Sequence, residues 1–393
     1  MFRFTPGNSV ELLRSGGELF PALVAAIDAA QAEVWLETYI FADDAAGRVI
    51  AEALVRAAGR GVAVRVLVDG WGARHYLTRN LERTLGDGGV KLLKYRPEVA
   101  LWQLRSHRLR RMHRKICRID REVAFIGGIN VIDDMNTPRH KPPRLDFTVR
   151  VRGPVVGQVT YATERLWALV ELLQFETSDV PLFPDVPSVH RVGRQTAKLV
   201  TRDNLRHRRD IERAYLAAIR TAKREIVIAN AYFFPGVRFR HALTAAAQRG
   251  VKVTLLLQAR VEYRLLHYAS RALYGQLLEA GVAIAEYHRS FLHAKVAVID
   301  GHWATVGSSN IDPYSLLMAR EANIFVRDPG FADELRIELL AMIETGTRHV
   351  EREKWSARPR AAKALAWMAY GCVRALMLLV GYGGAEWFAR RRR

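Results

Sequence analysis

The sequence predicts an α/β protein made of two similar α/β lobes in tandem, followed by a basic amphipathic tail. Three observations predict this. Four sequence blocks recur in the same order in both halves, helix-period and strand-period segments alternate within each half, and a proline-rich stretch separates them.

The repeat is read block by block. "EVWLETYIF" (33–41) matches "EIVIANAYFF" (225–234), and "AAGRGVAVRVLVDG" (57–70) matches "AAQRGVKVTLLLQA" (246–259). "GGVKLLKY" (88–95) matches "AGVAIAEY" (280–287), and "HRKICRID" at 113 matches "HAKVAVID" at 293. In the first half, "FPALVAAIDAAQAEV" carries apolar residues at helical spacing and "RVIAEALVRAAGRG" reads as a helix closed by glycine. "VAVRVLVDG" reads as a buried strand running into a loop. The expected layout is a first lobe over 1–180, a linker over 181–193, a second lobe over 194–348 and a tail over 349–393. One insertion breaks the match. His113 follows Tyr95 by 18 residues but His293 follows Tyr287 by 6, so the first half has 12 more, among them Leu101, Trp102, Arg105, Arg108, Arg110 and Arg111. That insert is either a solvated basic loop or a lip that touches anionic lipid through Trp102.

Composition narrows the partners. The chain has 393 residues, half of them hydrophobic, and a net charge of +20. An excess of that size points to nucleic acid or an acidic membrane surface, and charge alone does not separate them. Cys117 and Cys372 suggest no disulfide framework. The N-terminal residues show no apolar run of signal-peptide length, and the first 350 residues hold no stretch long enough to span a bilayer. A cytoplasmic body is expected.

The repeated motif carries the chemistry. Each copy is His-x-Lys, then Asp, then small residues, then Asn: His113, Lys115, Asp120 and Asn130, and His293, Lys295, Asp300 and Asn310. On strands, residues two apart share a face, so each histidine sits beside its lysine. Lysine holds a phosphate oxygen, and imidazole attacks or transfers a proton. A metal site is disfavoured, because an ammonium repels a cation. Gly127-Gly128 and Gly307-Ser308-Ser309 let the backbone approach a ligand, and the asparagine amides donate to phosphoryl oxygens. Cys117 shares the parity of His113 and matches Ala297, which reads as tight packing. Glu37, Tyr39, Asn230 and Tyr232 sit at strand ends and are candidates to line the pocket; His75, His107, His140, His190 and His207 read as bystanders.

This double motif resembles the phospholipase D superfamily over about the first 350 residues. "RRMHRKICRIDREVAFIGGIN", "NAYFFPG" and "HWATVGSSNIDPYSLLMAREANI" resemble bacterial cardiolipin synthases of the short kind without N-terminal transmembrane helices. The resemblance implies phospholipase D-type lobes related by a pseudo-twofold axis, with the active site between them. It implies a phosphatidyl-histidine intermediate, with His113 as nucleophile and His293 as acid/base, roles that near-symmetry leaves exchangeable. Lys115, Lys295, Asn130 and Asn310 would clamp the phosphoryl group, and Asp120 and Asp300 orient the motif loops. Glu321 fits the family's downstream acid, and Asp146 is its first-half match with a shorter side chain. No metal or other cofactor is implied. Phosphatidyl transfer from phosphatidylglycerol is the leading reading, with hydrolysis of phospholipid or nucleic acid as the alternative and a catalytically dead membrane binder as a third.

The tail decides between partners. Residues 364–373 and 375–385 are apolar, Arg374 interrupts them, and the chain ends in four arginines. A spanning helix would carry Arg374 near its middle at a cost of about 2.5–3.5 kcal/mol. Lys363, Trp367, Tyr370 and Arg374 fall on one face at helical spacing, which favours a helix lying in the interface over one docked on the protein. The expected setting is peripheral, at the cytoplasmic face of the membrane, with anionic phospholipid and no obligatory nucleic acid.

Overall fold

A computed structural model describes residues 2–97, 110–137, 140–187, 189–203, 207–260, 264–312 and 319–379. Leu101, Trp102, Arg105 and Arg108 of the insert lie outside the described residues, as does the terminal arginine cluster. The first half runs β1 (Thr5–Arg14), α1 (Ser15–Asp28), β2 (Glu33–Thr38), α2 (Ala45–Gly59), β3 (Ala63–Asp69), α3 (Arg79–Asp87) and β4 (Lys91–Tyr95). It continues with β5 (Arg111–Met112), β6 (Lys115–Ile119), β7 (Val123–Gly127), β8 (Arg144–Leu145), β9 (Phe147–Arg152) and α4 (Val155–Leu173). The second half runs β10 (Gln195–Arg202), α5 (Asp210–Thr221), β11 (Glu225–Asn230), α6 (Val237–Gln248), β12 (Lys252–Gln258), α7 (Arg264–Arg271), α8 (Tyr274–Glu279) and β13 (Ala283–Tyr287). It ends with β14 (Phe291–Leu292), β15 (Lys295–Ile299), β16 (Trp303–Gly307), β17 (Ala319–Arg327), the helix Pro329–Gly346 and β18 (Thr347–His349).

Local chemistry starts and stops these elements. Helix α1 buries Leu19, Leu23 and Ile27, one stripe at a spacing of four. The Asp44 carboxylate accepts from Gly47 N (3.1 Å) and caps α2. Proline opens the helix Pro329–Gly346, and Asp328 accepts from Phe331 N (2.8 Å). Helix α4 is buried nearly all round because the sheet covers one side and the linker crosses another. The crossing is close: a Cβ on Gly157 would meet the Pro187 carbonyl oxygen at 2.2 Å.

The two halves join edge to edge. Strand β1 pairs with β9 in its own half and with β10 across the seam, and β10 pairs with β17. Among the described residues the strands thus form one 16-stranded sheet. The central core draws on both halves: Ile116, Ile126 and Val149 of the first pack with Val296, Val306 and Ile324 of the second. Helices α1 and α2 cover the first half's outer face.

The chain stays on the second half past residue 348. β18 pairs with β13, and Trp355 of the helix Arg352–Ser356 lies 5.0 Å from the Tyr274 ring. The last described helix, Arg360–Leu379, packs against α7. Its Tyr370 ring lies 5.4 Å from Phe234, and Ala369 and Met377 join the same cluster. So the half-buried Tyr370 packs inward on Phe234 and outward on Trp367 (5.3 Å), which is 54 % exposed alongside Leu365, Met368 and Leu376. No described helix is long and apolar enough to cross a membrane.

Candidate active site

Strands β6 and β15 present the motif. Each begins at its lysine, and alternation sends Lys115 and Cys117 to one face and Ile116 to the central core. Each ends in a tight hairpin with positive φ at both turn residues, Asp120 and Arg121 in one half, Asp300 and Gly301 in the other. The aspartates therefore lie at the strand end away from the histidines. Asp120 accepts from Gln31, Ala32 and Glu33 N (2.8 Å each), and Asp300 from Lys223, Arg224 and Glu225 N (2.8, 2.8 and 3.1 Å). Both are spent on fixing the entry to the neighbouring strand, so they are positioning residues.

Each histidine is held by the opposite half. Strand β5 pairs in parallel with the start of β17, and β14 with β8. His113 N donates to the Arg320 carbonyl (2.9 Å) and His293 N to the Leu145 carbonyl (2.7 Å). The next residue along the chain is in each case the acid. His113 Nδ1 lies 3.0 and 3.1 Å from the two Glu321 oxygens, and His293 Nδ1 lies 2.7 Å from Asp146 Oδ2. Each acid meets a histidine, but the sequence places each acid with the ring of its own half, and the structure pairs it with the ring of the opposite half. With Nδ1–H donated to Glu321, Nε2 of His113 carries the lone pair, while Nδ1 of His293 meets both Asp146 and, at 2.7 Å, Lys295 Nζ.

Lys295 Nζ donates to Asp146 (3.0 Å) and Lys115 Nζ to the His113 carbonyl (2.6 Å). Burial pushes the Lys115 ammonium down to about 7, and both Glu321 and Asp146 pull the other way, so one lysine senses the acids of both halves. Burial also lowers Lys295, against the pull of Asp146. Burial and then Lys295 push His293 down to about 3; burial lowers His113, with Glu321 opposing. Burial works against charge on the two acids as well. For Asp146, Lys295 and His293 outweigh it; for Glu321, His113 and Lys115 do, and both carboxyls stay below their ordinary range. The site is a buried cluster of two imidazoles, two carboxylates and two lysines, with both rings and both ammonium groups held below their ordinary values.

A family model described as "Cardiolipin synthase, PLD-like domain" matches residues 23–139 and 215–343. The chain belongs to this family. Cardiolipin synthase B of Escherichia coli is 39% identical over 355 residues, covering 88% of this chain and 83% of that one. Cardiolipin synthase B of Salmonella typhi is 38% identical over 386 residues, covering 96% and 90%. The crystal structure of phosphatidylserine synthase from Haemophilus influenzae covers 95% of both chains with a TM-score of 0.69 at 12% identity, which shows a shared fold. The two-lobed α/β architecture expected of the phospholipase D-like family is therefore the architecture of this chain.

In this family member, the remaining candidates divide between pocket and scaffold. Tyr39 packs edge-on to His113 (4.9 Å) and lies 5.4 Å from Lys115 Nζ. Glu37 points to the other face and pairs with Arg114 (2.7 Å), so it does not line the pocket beside Lys115 as a free acid. Asn130 Oδ1 accepts from Ile40 N (3.1 Å), leaving its amino group on the other side. Asn310 Oδ1 is buried without a hydrogen-bond partner among the described residues, while Asn230 Oδ1 anchors the same loop through Ile311 N (3.1 Å). The Cys117 thiol is pushed up to about 12 by burial, which keeps it a packing group.

Sequence reading missed two positioning groups. Asp69 and Gln258, at matched strand ends, accept from Met112 N and Leu292 N, both at 2.8 Å, one residue before each histidine. The acid and amide differ in type, so no shared letter marked them. His140, set aside as a bystander, stacks on Phe291 (3.9 Å), which lies 5.5 Å from His293.

Proposed function

We propose that this enzyme is a cardiolipin synthase that moves a phosphatidyl group from phosphatidylglycerol to a second phospholipid. The cross-seam histidine–acid pairs carry the reading. His113 Nε2 attacks phosphorus, the bond to the departing glycerol oxygen breaks, and that oxygen takes a proton from His293. The hydroxyl of the second lipid then gives its proton to His293 and attacks phosphorus, and the phosphorus–nitrogen bond breaks. Lys115, Lys295, Asn130 and Asn310 hold the phosphoryl oxygens as charge builds on them. The incoming lipid is phosphatidylglycerol or the pair includes phosphatidylethanolamine, with glycerol or ethanolamine released.

His113 is the better nucleophile because Glu321 offers it both oxygens, whereas Asp146 divides itself between His293 and Lys295. Burial and Lys295 make His293 resist protonation, and an anionic diester supplies the charge that makes its proton tenable. The setting is the cytoplasmic membrane face, bound peripherally. The outward Leu365, Trp367, Met368 and Leu376 of the tail helix meet the lipid, and anionic phospholipid, not nucleic acid, is the partner.

Purified full-length protein incubated with phosphatidylglycerol vesicles, with and without phosphatidylethanolamine, tests this by mass spectrometry of the lipids. Cardiolipin is expected. Phosphatidic acid alone would make the enzyme a hydrolase, and cleavage of DNA with no lipid product would overturn the substrate class.

A further inference from the structure

A second cavity, of about 530 Å³, lies beneath the linker, beside the catalytic cleft. None of His113, Lys115, His293, Lys295, Asp146 and Glu321 lines it. One wall is apolar: Leu166 and Leu169 of α4 face Leu182, Phe183 and Val186 of the linker. The lip is apolar too, with Phe183 72% and Val186 49% exposed. Large apolar side chains left at a cavity mouth mark a surface that meets something apolar.

The other lining is basic. Arg114, Arg165, Arg202 and Arg320 stand against Asp203 and Asp210. Asp210 is already engaged by His207 (2.7 Å) and Arg213 (3.3 Å), and Arg114 by Glu37. Arg320 donates to the Tyr95 hydroxyl (3.2 Å) and forms no ion pair among the described residues. Arg165 lies over the Phe183 ring (5.6 Å), which puts a cation at the apolar lip. The volume is that of a small-molecule site, and apolar walls with a few placed charges are the composition of one. It suits one acyl chain and its head, not a whole two-chain lipid.

We propose that this cavity binds a single-chain anionic amphiphile, a fatty acid or a lysophospholipid. Its chain lies between α4 and the linker, and its carboxylate or phosphate meets the arginines. The inference is independent of the reaction proposed above, since no catalytic side chain takes part.

Calorimetric titration of the full-length protein below the micelle concentration tests it, with oleate, lysophosphatidylglycerol and neutral mono-oleoylglycerol as probes. Saturable one-site binding of an anion is expected, at least tenfold tighter than that of the neutral chain. The tighter anion names the head group. Phe183→Asp at the exposed lip and Leu169→Trp in the wall should each weaken anion binding at least tenfold, while His113→Ala binds as wild type. Absence of saturable binding, equal binding of the neutral chain, or full affinity in both cavity variants would overturn the proposal. Loss of binding in His113→Ala would move the ligand to the catalytic cleft and overturn it as well.

Discussion

In the first half of the site, Glu321 gives both carboxylate oxygens to the His113 ring, at 3.0 and 3.1 Å. In the second, the shorter Asp146 serves His293 at 2.7 Å and Lys295 at 3.0 Å together. The backbone around them is matched: both histidine N–H groups bond a carbonyl of the opposite half, and both preceding N–H groups bond an acid or amide at a strand end. Duplication thus builds a twofold frame, and one methylene in the acid breaks its chemical symmetry. In the proposed two-step transfer one ring bonds to phosphorus while the other carries the proton, and the unequal acids would bias which ring takes which role.

The sharpest test of this division is to remove each ring. His113→Ala is expected to leave no measurable cardiolipin synthesis. His293→Ala should lose about 10²–10⁴-fold, the range for a general acid. A phosphatidyl ester of p-nitrophenol needs no acid to depart, so with it His293→Ala should accumulate a covalent adduct. Peptide mass spectrometry should find the phosphatidyl group on His113. An adduct on His293 in the His113→Ala protein would reverse the roles.

The acids should differ in stability. Asp146→Asn leaves Lys295 buried without its anion, and breaking a buried pair costs about 3–5 kcal/mol. Glu321→Gln keeps a hydrogen-bonding group beside His113 and Ser308, so about 1–2 kcal/mol is expected. Urea unfolding of both variants measures the order. Equal losses would show that Asp146 is not shared in solution.

Acid should destabilise the site in both halves. His293 titrates at about 3 when folded and near its ordinary 6.5 when unfolded. Between those values the unfolded chain binds the extra proton, so stability falls as pH drops from 6.5 toward 3. His113 is lowered as well and adds the same sign. Asp146 and Glu321, held below their ordinary range, contribute stability that is lost as pH falls through their folded values. The melting temperature should therefore drop between pH 7 and pH 4, and less steeply in His293→Gln than in the wild type. A slope unchanged by that substitution would put the His293 ring in water-like surroundings.

How much of this was legible follows from where each signal lives. The motif strands, their parity and their turns are local, and a second copy confirms each letter, so His113, Lys115, His293 and Lys295 were readable. Asp146 and Glu321 were readable as acids, but their exchange across the seam was not. It depends on two-residue strands, β5 on β17 and β14 on β8, that join segments more than a hundred residues apart and carry no periodicity. Asp69 and Gln258 stayed hidden because only their geometry is repeated. The tail's helical period was visible, but α7 chose its inward face, and that turned Tyr370 toward Phe234.

The smallest expected effect isolates what sits beside each acid. Gly128 in the first half and Ser308 in the second occupy matched places, each bonding the strand that carries the acid: Gly128 N to the Phe147 carbonyl (2.9 Å) and Ser308 N to the Ala322 carbonyl (3.0 Å). A Cβ on Gly128 would meet both Asp146 oxygens at 2.3 Å. Asp146 is held by His293, Lys295 and Phe147 N and has no free direction in which to retreat. Gly128→Ala should therefore cost about 1–3 kcal/mol by overpacking and slow transfer by pushing the acid off His293. Ser308→Gly removes a hydroxyl that donates to Glu321, a loss of about 1 kcal/mol, and leaves the His113 pair in place. Urea unfolding and initial rates on the two variants check the order. If Ser308→Gly proved the more damaging, the hydroxyl, and not the pairing of both Glu321 oxygens with His113, would be what sets the first half apart.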